Sequence, residues 1–374
     1  MEFSGKSKLL VVDDSAFMRK LISDFFIDHP KVEVVGTARN GKDAIKKILS
    51  LKPDVVTMDV EMPELNGLDA LKEIMNISPV PVIMLSSTTL QGAENALIAM
   101  ENGAVDFVAK PSGNISLDLH KIKEELVHKV EHAAHVSVKK LKNTKQIDVP
   151  SQNKLPVERP LSKSQTPQVT QSDDIKKNAW NKVSKKIVLI GTSTGGPRAL
   201  QEVITKIPAS IKAPILIVQH MPAGFTKSLA DRLNQLSQVK VKEAEHGDLL
   251  QNGVAYVAPG GSHLKLEKKG ASFEIILDPN EPPRSGHRPS VDVMFESVSN
   301  ITEFDKVAVI MTGMGSDGSK GLIELKQKGN VMAIAESEKT CIVYGMPKAA
   351  VETKHVNEVV DVDNIAAAIM KYLP

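Results

Sequence analysis

The chain has 374 residues, more than one ordinary core holds, so two domains are the starting expectation. Its 41% hydrophobic and 25% charged content is that of a globular protein, and a net charge of +2 with 3% aromatics gives no general case for binding nucleic acid. A lone cysteine, Cys341 in the apolar run TCIVYG, excludes an internal disulfide and reads as a buried thiol in a reducing compartment.

The N-terminus reaches the strand-like KLLVVDD without a signal-peptide layout, and no apolar segment approaches the ~20 residues that span a bilayer. A cytoplasmic protein with no membrane insertion is expected. The first segment then alternates two patterns. KLLVV, VEVVGTA, DVVTMD, VPVIML and DFVAK are short apolar runs ending in polar or acidic residues, with helical stretches such as 17–26 and 41–49 between them. Five β/α units of this kind make a doubly wound parallel sheet of the flavodoxin-like type.

Five polar residues fall at the ends of its strands. Asp13 and Asp14 follow the first, Asp59 the third, Ser86 the fourth and Lys110 the fifth. Neighbouring strand ends converge on one edge of such a sheet. Three carboxylates crowded there repel one another unless a hard cation such as Mg²⁺ neutralises them. A hydroxyl, an ammonium and a metal around a carboxylate are what a transferred phosphoryl group needs. Asp as a helix N-cap would explain any one of these residues but poorly the whole set.

Over about residues 6 to 117 the sequence strongly resembles a response-regulator receiver domain. The resemblance implies that Asp59 accepts a phosphoryl group from a histidine kinase and that Asp13, Asp14 and Asp59 hold Mg²⁺. It makes Ser86 and Lys110 the readers of the phosphate, and Phe107 the aromatic that follows the switch. Ser86 stands where threonine is common, and Phe107 where tyrosine is common.

Next comes LDLHKIKEELVHKVEHAAHVSVKKLK, where Leu119, Ile122, Leu126, Val130 and Ala133 recur at helical steps. His128, His132 and His135 share one side of it. With no acidic or thiol ligand to complete a set, a solvated face is a better reading than a metal site. From Asn143 to Ser184 the composition turns to Lys, Gln, Ser, Thr and Pro, the signature of a flexible linker. Trp180 is its one large apolar residue, a candidate to dock on the second domain. The expected division is a receiver domain over 1–125, a helix extension and linker over 126–184, and a catalytic domain over 185–374.

The second domain also alternates. KIVLIG, PILIVQ, VAYVA, FEIIL, KVAVIM and VMAIA are strand candidates, with helices expected over 197–207, 224–236, 289–300 and 319–328. YVAPGGSHLKLEKKGASFEIIL reads as a hairpin inserted into the parallel plan. The first strand runs into GTSTGGP. This has the outline of a phosphate cradle, but its glycines fit neither nucleotide-binding motif and no lysine follows. As G-x-S-x-G it does fit, with Gly191 and Gly195 flanking Ser193.

His220 in QHMP follows the next strand, and Asp317 lies in the glycine-rich MTGMGSDG after another. Serine, imidazole and carboxylate on one sheet edge are a nucleophile, a base and its orienter. Their order, Ser then His then Asp, differs from that of α/β-hydrolases. His246, His263 and His287 are rival bases, and Asp248 and Asp292 rival acids, Asp292 falling in a first helical turn that it serves electrostatically. Gly313, Gly315 and Gly318 would bare backbone N–H groups for an oxyanion.

GTSTGGP, QHMP, APGG, HRPSVDVMF, MTGMGSDG and YGMPKAA together look like the chemotaxis response-regulator protein-glutamate methylesterase family, which the chain matches throughout except in the linker. That resemblance makes Ser193, His220 and Asp317 the catalytic triad and the Met314 N–H part of the oxyanion hole. It implies hydrolysis of glutamate methyl esters on chemoreceptors, deamidation of selected glutamines, no cofactor for the esterase, and a monomer whose unphosphorylated receiver covers the cleft. Arg284 and Arg288 would steer toward acidic receptor surfaces. Two readings from other classes remain open. A DNA-binding output is testable by gel shift, and a nucleotide-binding scaffold by the failure of a serine-reactive phosphonate to label Ser193.

Overall fold

The computed structural model describes residues 5–110, 115–141, 180 and 184–373. Most of the expected linker therefore lies outside the described residues. The first domain runs β1 (Ser7–Val12), α1 (Ala16–Phe25), β2 (Val32–Ala38), α2 (Gly41–Leu51), β3 (Val55–Asp59), α3 (Gly67–Ile77), β4 (Val82–Ser86), α4 (Leu90–Glu101), β5 (Asp106–Ala109) and α5 (Ile115–Ala133). A short α6 (Val138–Leu141) follows. The five strands pair in parallel in the order β2-β1-β3-β4-β5. Helix starts are fixed locally. Ser15, Asn40, Asn66 and Thr89 each accept a hydrogen bond from a backbone N–H three residues on, an N-cap worth about 1 kcal/mol each.

Residue 125, where the sequence reading closes the receiver, lies inside α5. The helix does not stop there because Leu126, Val130 and Ala133 are buried in the same core as β1, β3 and β4. It is the fifth helix of the doubly wound unit, and Val136 and Leu141 beyond it are still buried in that core.

The second domain runs β6 (Lys186–Thr192), α7 (Gly196–Ile204), β7 (Ile215–Gln219), α8 (Phe225–Leu236), β8 (Lys240–Glu243), β9 (Val254–Val257), β10 (His263–Lys269), β11 (Ser272–Asp278), α9 (Val291–Ser299), β12 (Asp305–Ile310), α10 (Ser319–Lys328), β13 (Val331–Glu336), α11 (Met346–Glu352), β14 (Glu358–Val360) and α12 (Val362–Lys371). Seven strands form a parallel sheet in the order β14-β13-β12-β6-β7-β9-β8. The expected inserted hairpin is β10 paired antiparallel with β11. It is shorter than the sequence reading, since Tyr256 and Val257 belong to β9 in the parallel sheet, where their side chains are buried. Trp180 does dock on this domain. Its indole N–H donates to the Tyr372 carbonyl at 3.0 Å, and the Lys186 ammonium lies 4.7 Å over its ring.

The two sheets are joined by one continuous apolar core. Phe107 of β5 stacks on Phe225 of α8 with ring centroids 4.7 Å apart. Arg232 of α8 makes a two-pronged ion pair with Glu101 of α4 at 2.8 and 3.1 Å. Arg198 of α7 donates to the Leu141 carbonyl at the end of α6.

Candidate functional site

Two polar clusters occupy carboxyl ends of parallel strands, one in each sheet. In the first, β1 and β3 are neighbours and deliver Asp13 and Asp59 side by side, with exposed Asp14 next in sequence. Lys110, just past β5, reaches across to Asp13 Oδ2 at 2.9 Å and Asp59 Oδ1 at 2.8 Å. Burial pushes the Asp59 carboxyl up to about 6, against the pull of the Lys110 ammonium, and the Asp13 charge adds to the rise. Burial draws Lys110 down, but bonding to Asp59 and the two carboxylate charges leave its pKa raised.

Ligand oxygens of Asp13, Asp14 and Asp59 lie within 4.8 Å of one another, the only such His/Cys/Asp/Glu group among the described residues. An all-oxygen anionic set of this size fits a hard divalent cation such as Mg²⁺. A cleft of about 480 Å³ lined by Asp14, Glu61, Met62 and Asn66 opens beside it. Ser86 is fully buried, and its hydroxyl donates to the Gly92 carbonyl at 2.7 Å.

The second cluster is built by three adjacent strands, β12, β6 and β7. Ser193 follows β6, His220 follows β7, and Asp317 sits in the loop after β12. The Ser193 N–H donates to the Thr312 carbonyl, and the His220 N–H to the Thr192 carbonyl, so the ladders continue into the loops and hold these residues side by side. His220 Nε2 bonds Asp317 Oδ2 at 2.8 Å. Its other nitrogen, Nδ1, is buried and has no partner. No hydrogen bond joins it to Ser193 in this state. Ser193 is 8% exposed, and Asp317 2%.

Asp317 is held from several sides. Ser290 Oγ donates to it at 2.8 Å, and the N–H groups of Val291, Asp292 and Gly318 donate at 2.7, 3.0 and 3.1 Å. Two of these are the first N–H groups of α9, which places a carboxylate on a helix N-terminus. Burial pushes Asp317 upward, yet the His220 bond and these donors outweigh it and keep its pKa below the ordinary carboxylate value. Gly313 packs against the nucleophile, since a Cβ there would lie 2.8 Å from the Ser193 Cβ. Met314 follows it directly.

The family model of the CheB methylesterase matches residues 188–369, and that of the response regulator receiver domain matches 9–121. The chain is 53% identical over 366 residues to the protein-glutamate methylesterase/protein-glutamine glutaminase of Geobacillus kaustophilus, covering 98% of both. It is 51% identical over 362 residues to that of Bacillus subtilis, covering 97% of both. It belongs to the CheB methylesterase family. Among solved structures it is similar to the catalytic domain of Thermotoga maritima CheB, 42% identical with a TM-score of 0.49, covering 51% of this chain and 100% of that one.

In this CheB-family chain the rival residues have other partners. His263 is buried between the Pro282 carbonyl and the Ser290 N–H. His246 Nδ1 accepts the Leu277 N–H on the hairpin, and Asp248 pairs with Lys242 at 2.9 Å. Asp292 accepts the Gly321 N–H at 2.7 Å, tying α9 to α10, and burial raises it to about 6. His128 and His132 pack their rings 4.6 Å apart, outside any metal-competent group. Arg284 is engaged by Glu281 and Glu296, and Arg288 by the Pro279 and Glu281 carbonyls. These contacts anchor their own loop.

Five further residues escaped the sequence reading. Gln219 donates to the carbonyls of Ser193 and His220 at 3.0 and 3.1 Å and accepts from Thr192, bracing both functional loops. A glutamine ending an otherwise apolar buried strand was the available signal. Glu336, buried at the end of β13, accepts the Thr312 N–H at 2.8 Å. Thr194, beside Ser193, donates to Asp106 Oδ2 of β5 at 2.6 Å, a direct bond from the receiver to the serine loop. Lys129 of α5 stands behind Asp106 at 3.4 Å and donates to the Phe107 carbonyl. Burial pulls Lys129 down, but Asp106 and Glu125 keep its pKa raised.

Proposed function

We propose that this chain demethylates glutamate methyl esters of chemoreceptors and deamidates selected receptor glutamines, with Ser193 as nucleophile. The observation that carries the reading is the His220 ring. One nitrogen is tied to an ionised Asp317, and the other is buried and unpartnered, on a residue whose backbone N–H bonds the strand end that carries Ser193. His220 Nδ1 takes the Ser193 proton as Oγ bonds the side-chain carbonyl carbon of the substrate. The tetrahedral oxyanion is met by the Met314 N–H. His220 returns the proton to departing methanol, or to ammonia from glutamine, and water then cleaves the acyl-serine by the same route. Asp317 stays ionised and holds the ring in the Nε2–H tautomer.

Control belongs to the receiver. Asp59 accepts the phosphoryl group of a histidine kinase, with Ser86 and Lys110 as readers. Asp13, Asp14 and Asp59 would hold Mg²⁺, whose charge offsets their repulsion and that of the phosphoryl oxygens. The contacts at Thr194, Phe225 and Arg232 support a docked receiver that covers the cleft, loosened when phosphorylation shifts Phe107 and its neighbours. Among the described residues no helix is long and apolar enough to cross a membrane. A cytoplasmic monomer acting on the receptor surface is the corresponding setting.

Methanol release from methylated receptor membranes, with and without a small-molecule phosphodonor, tests the reading. Ser193→Ala is expected to abolish release, and Asp59→Asn to reduce the phosphodonor stimulation ratio to about one. Release that persists in Ser193→Ala overturns the assignment of the nucleophile.

A further inference from the structure

The rings of His220 and His287 lie face to face, with centroids 3.8 Å apart and planes 9° from parallel. His287 is presented by a tight turn. The N–H and carbonyl of Arg284 bond those of His287 at 3.0 and 2.9 Å, with Ser285 and Gly286 at φ of 52° and 81° between them. Two successive positive φ values are the signature of a two-residue hairpin turn that favours glycine at its second position. The turn is pinned by Arg284 to Glu281 and Glu296 and by Arg288 to the Pro279 and Glu281 carbonyls. Three residues beyond His287, the same segment supplies Ser290 Oγ and the Val291 and Asp292 N–H groups to Asp317.

We infer that His287 is a positioning residue for the ester hydrolysis, holding the plane of the His220 ring while the rest of its segment holds Asp317. This rests on His220 being the base. A single hydrogen bond at Nε2 fixes one point of an imidazole and leaves the ring free to tilt about that bond. A flat partner stacked on its face removes the tilt and so fixes the direction of Nδ1. Burial first, then the nearby His220, lower the His287 pKa to about 3. It therefore remains uncharged at working pH and adds no repulsion when His220 becomes an imidazolium.

The role is one of shape, so it separates two substitutions in the full chain. His287→Ala is expected to lower kcat for methanol release by about 10- to 100-fold, with KM changed less than about twofold, as for a small misplacement of a catalytic group. His287→Phe, which keeps a flat ring without a titratable nitrogen, is expected to recover kcat to within about threefold of the parent. Proton-detected ¹⁵N NMR of the His220 Nε2–H reads the same property without turnover. The signal should persist in the parent and in His287→Phe, and broaden or vanish in His287→Ala. An unaffected His287→Ala overturns the inference, and so does a His287→Phe as impaired as alanine, since a nitrogen would then be the working part. If His220→Ala retains activity, the base assignment fails instead, whatever the NMR signal does.

Discussion

The two sheet edges each hold a buried aspartate, one ending a strand and one in the loop beyond a strand, and treat it in opposite ways. Asp59 receives the Lys110 ammonium at 2.8 Å and one long backbone bond from Glu61 at 3.4 Å. Asp13 crowds it, and burial leaves it raised to about 6. Asp317 is as deeply enclosed, yet five donors converge on it and its pKa is lowered. Burial alone thus decides neither case. The number of N–H and O–H groups aimed at the carboxylate does. On the proposed function, an under-supplied aspartate suits an edge that takes up a cation and a phosphoryl group, and a fully supplied one suits an edge that must stay charged and still.

Acid therefore acts on the two edges with opposite sign. A carboxyl raised on folding favours the native state at low pH, and that contribution is lost as pH rises through about 6 for Asp59. One lowered on folding contributes above its unfolded value near 4, and the contribution is lost as pH falls through its folded value, as for Asp317.

The largest effect expected from breaking this contrast is at Asp317. Asp317→Asn keeps the shape but presents the wrong hydrogen-bonding group to His220, and kcat for methanol release should fall on the order of 10⁴-fold. A fall of less than about tenfold would remove Asp317 from the mechanism. Next in size is the proton's competition with metal at the other edge. Calorimetric titration with Mg²⁺ should show affinity about tenfold weaker at pH 5 than at pH 7, because a carboxyl near 6 is mostly protonated at the lower value. An affinity independent of pH over this range would contradict the raised Asp59. The smallest effect concerns the join between the edges. Arg232 is 40% exposed in its ion pair with Glu101, so solvent weakens the pair. Arg232→Ala should raise the unstimulated esterase rate by no more than about fivefold. A lowered rate would argue that this contact supports the active site and does not restrain it.

Much of this was legible before any coordinates. Asp13, Asp59, Ser86, Lys110, Ser193 and His220 each end or follow a short apolar run, and a parallel sheet gathers such positions by construction. What escaped depends on packing between distant segments. His287 looks like an irregular loop residue because its partner ring belongs to a different strand end. The last strand, Glu358–Val360, is a three-residue edge with half-exposed side chains and offers no alternation to read. The hairpin reading reaches back too far, to Tyr256, because a buried parallel strand and a hairpin arm share the same apolar composition, and only pairing partners tell them apart.

The lateral arrangement of β12, β6 and β7 has one more consequence. Parallel registers pair Ile310 with Gly191 and Thr192 with Gln219, so the strand ends that lead to carboxylate, hydroxyl and imidazole are set out along a ruler of two strand spacings, about 10 Å in all, and the loop after β12 brings Asp317 back to within 2.8 Å of His220. The ruler records who stands beside whom and is blind to the order in which the chain visits the strands. Permuting the connections while keeping the neighbours would leave the spacing intact. The Ser, His, Asp order along this sequence is thus one of several itineraries to the same geometry.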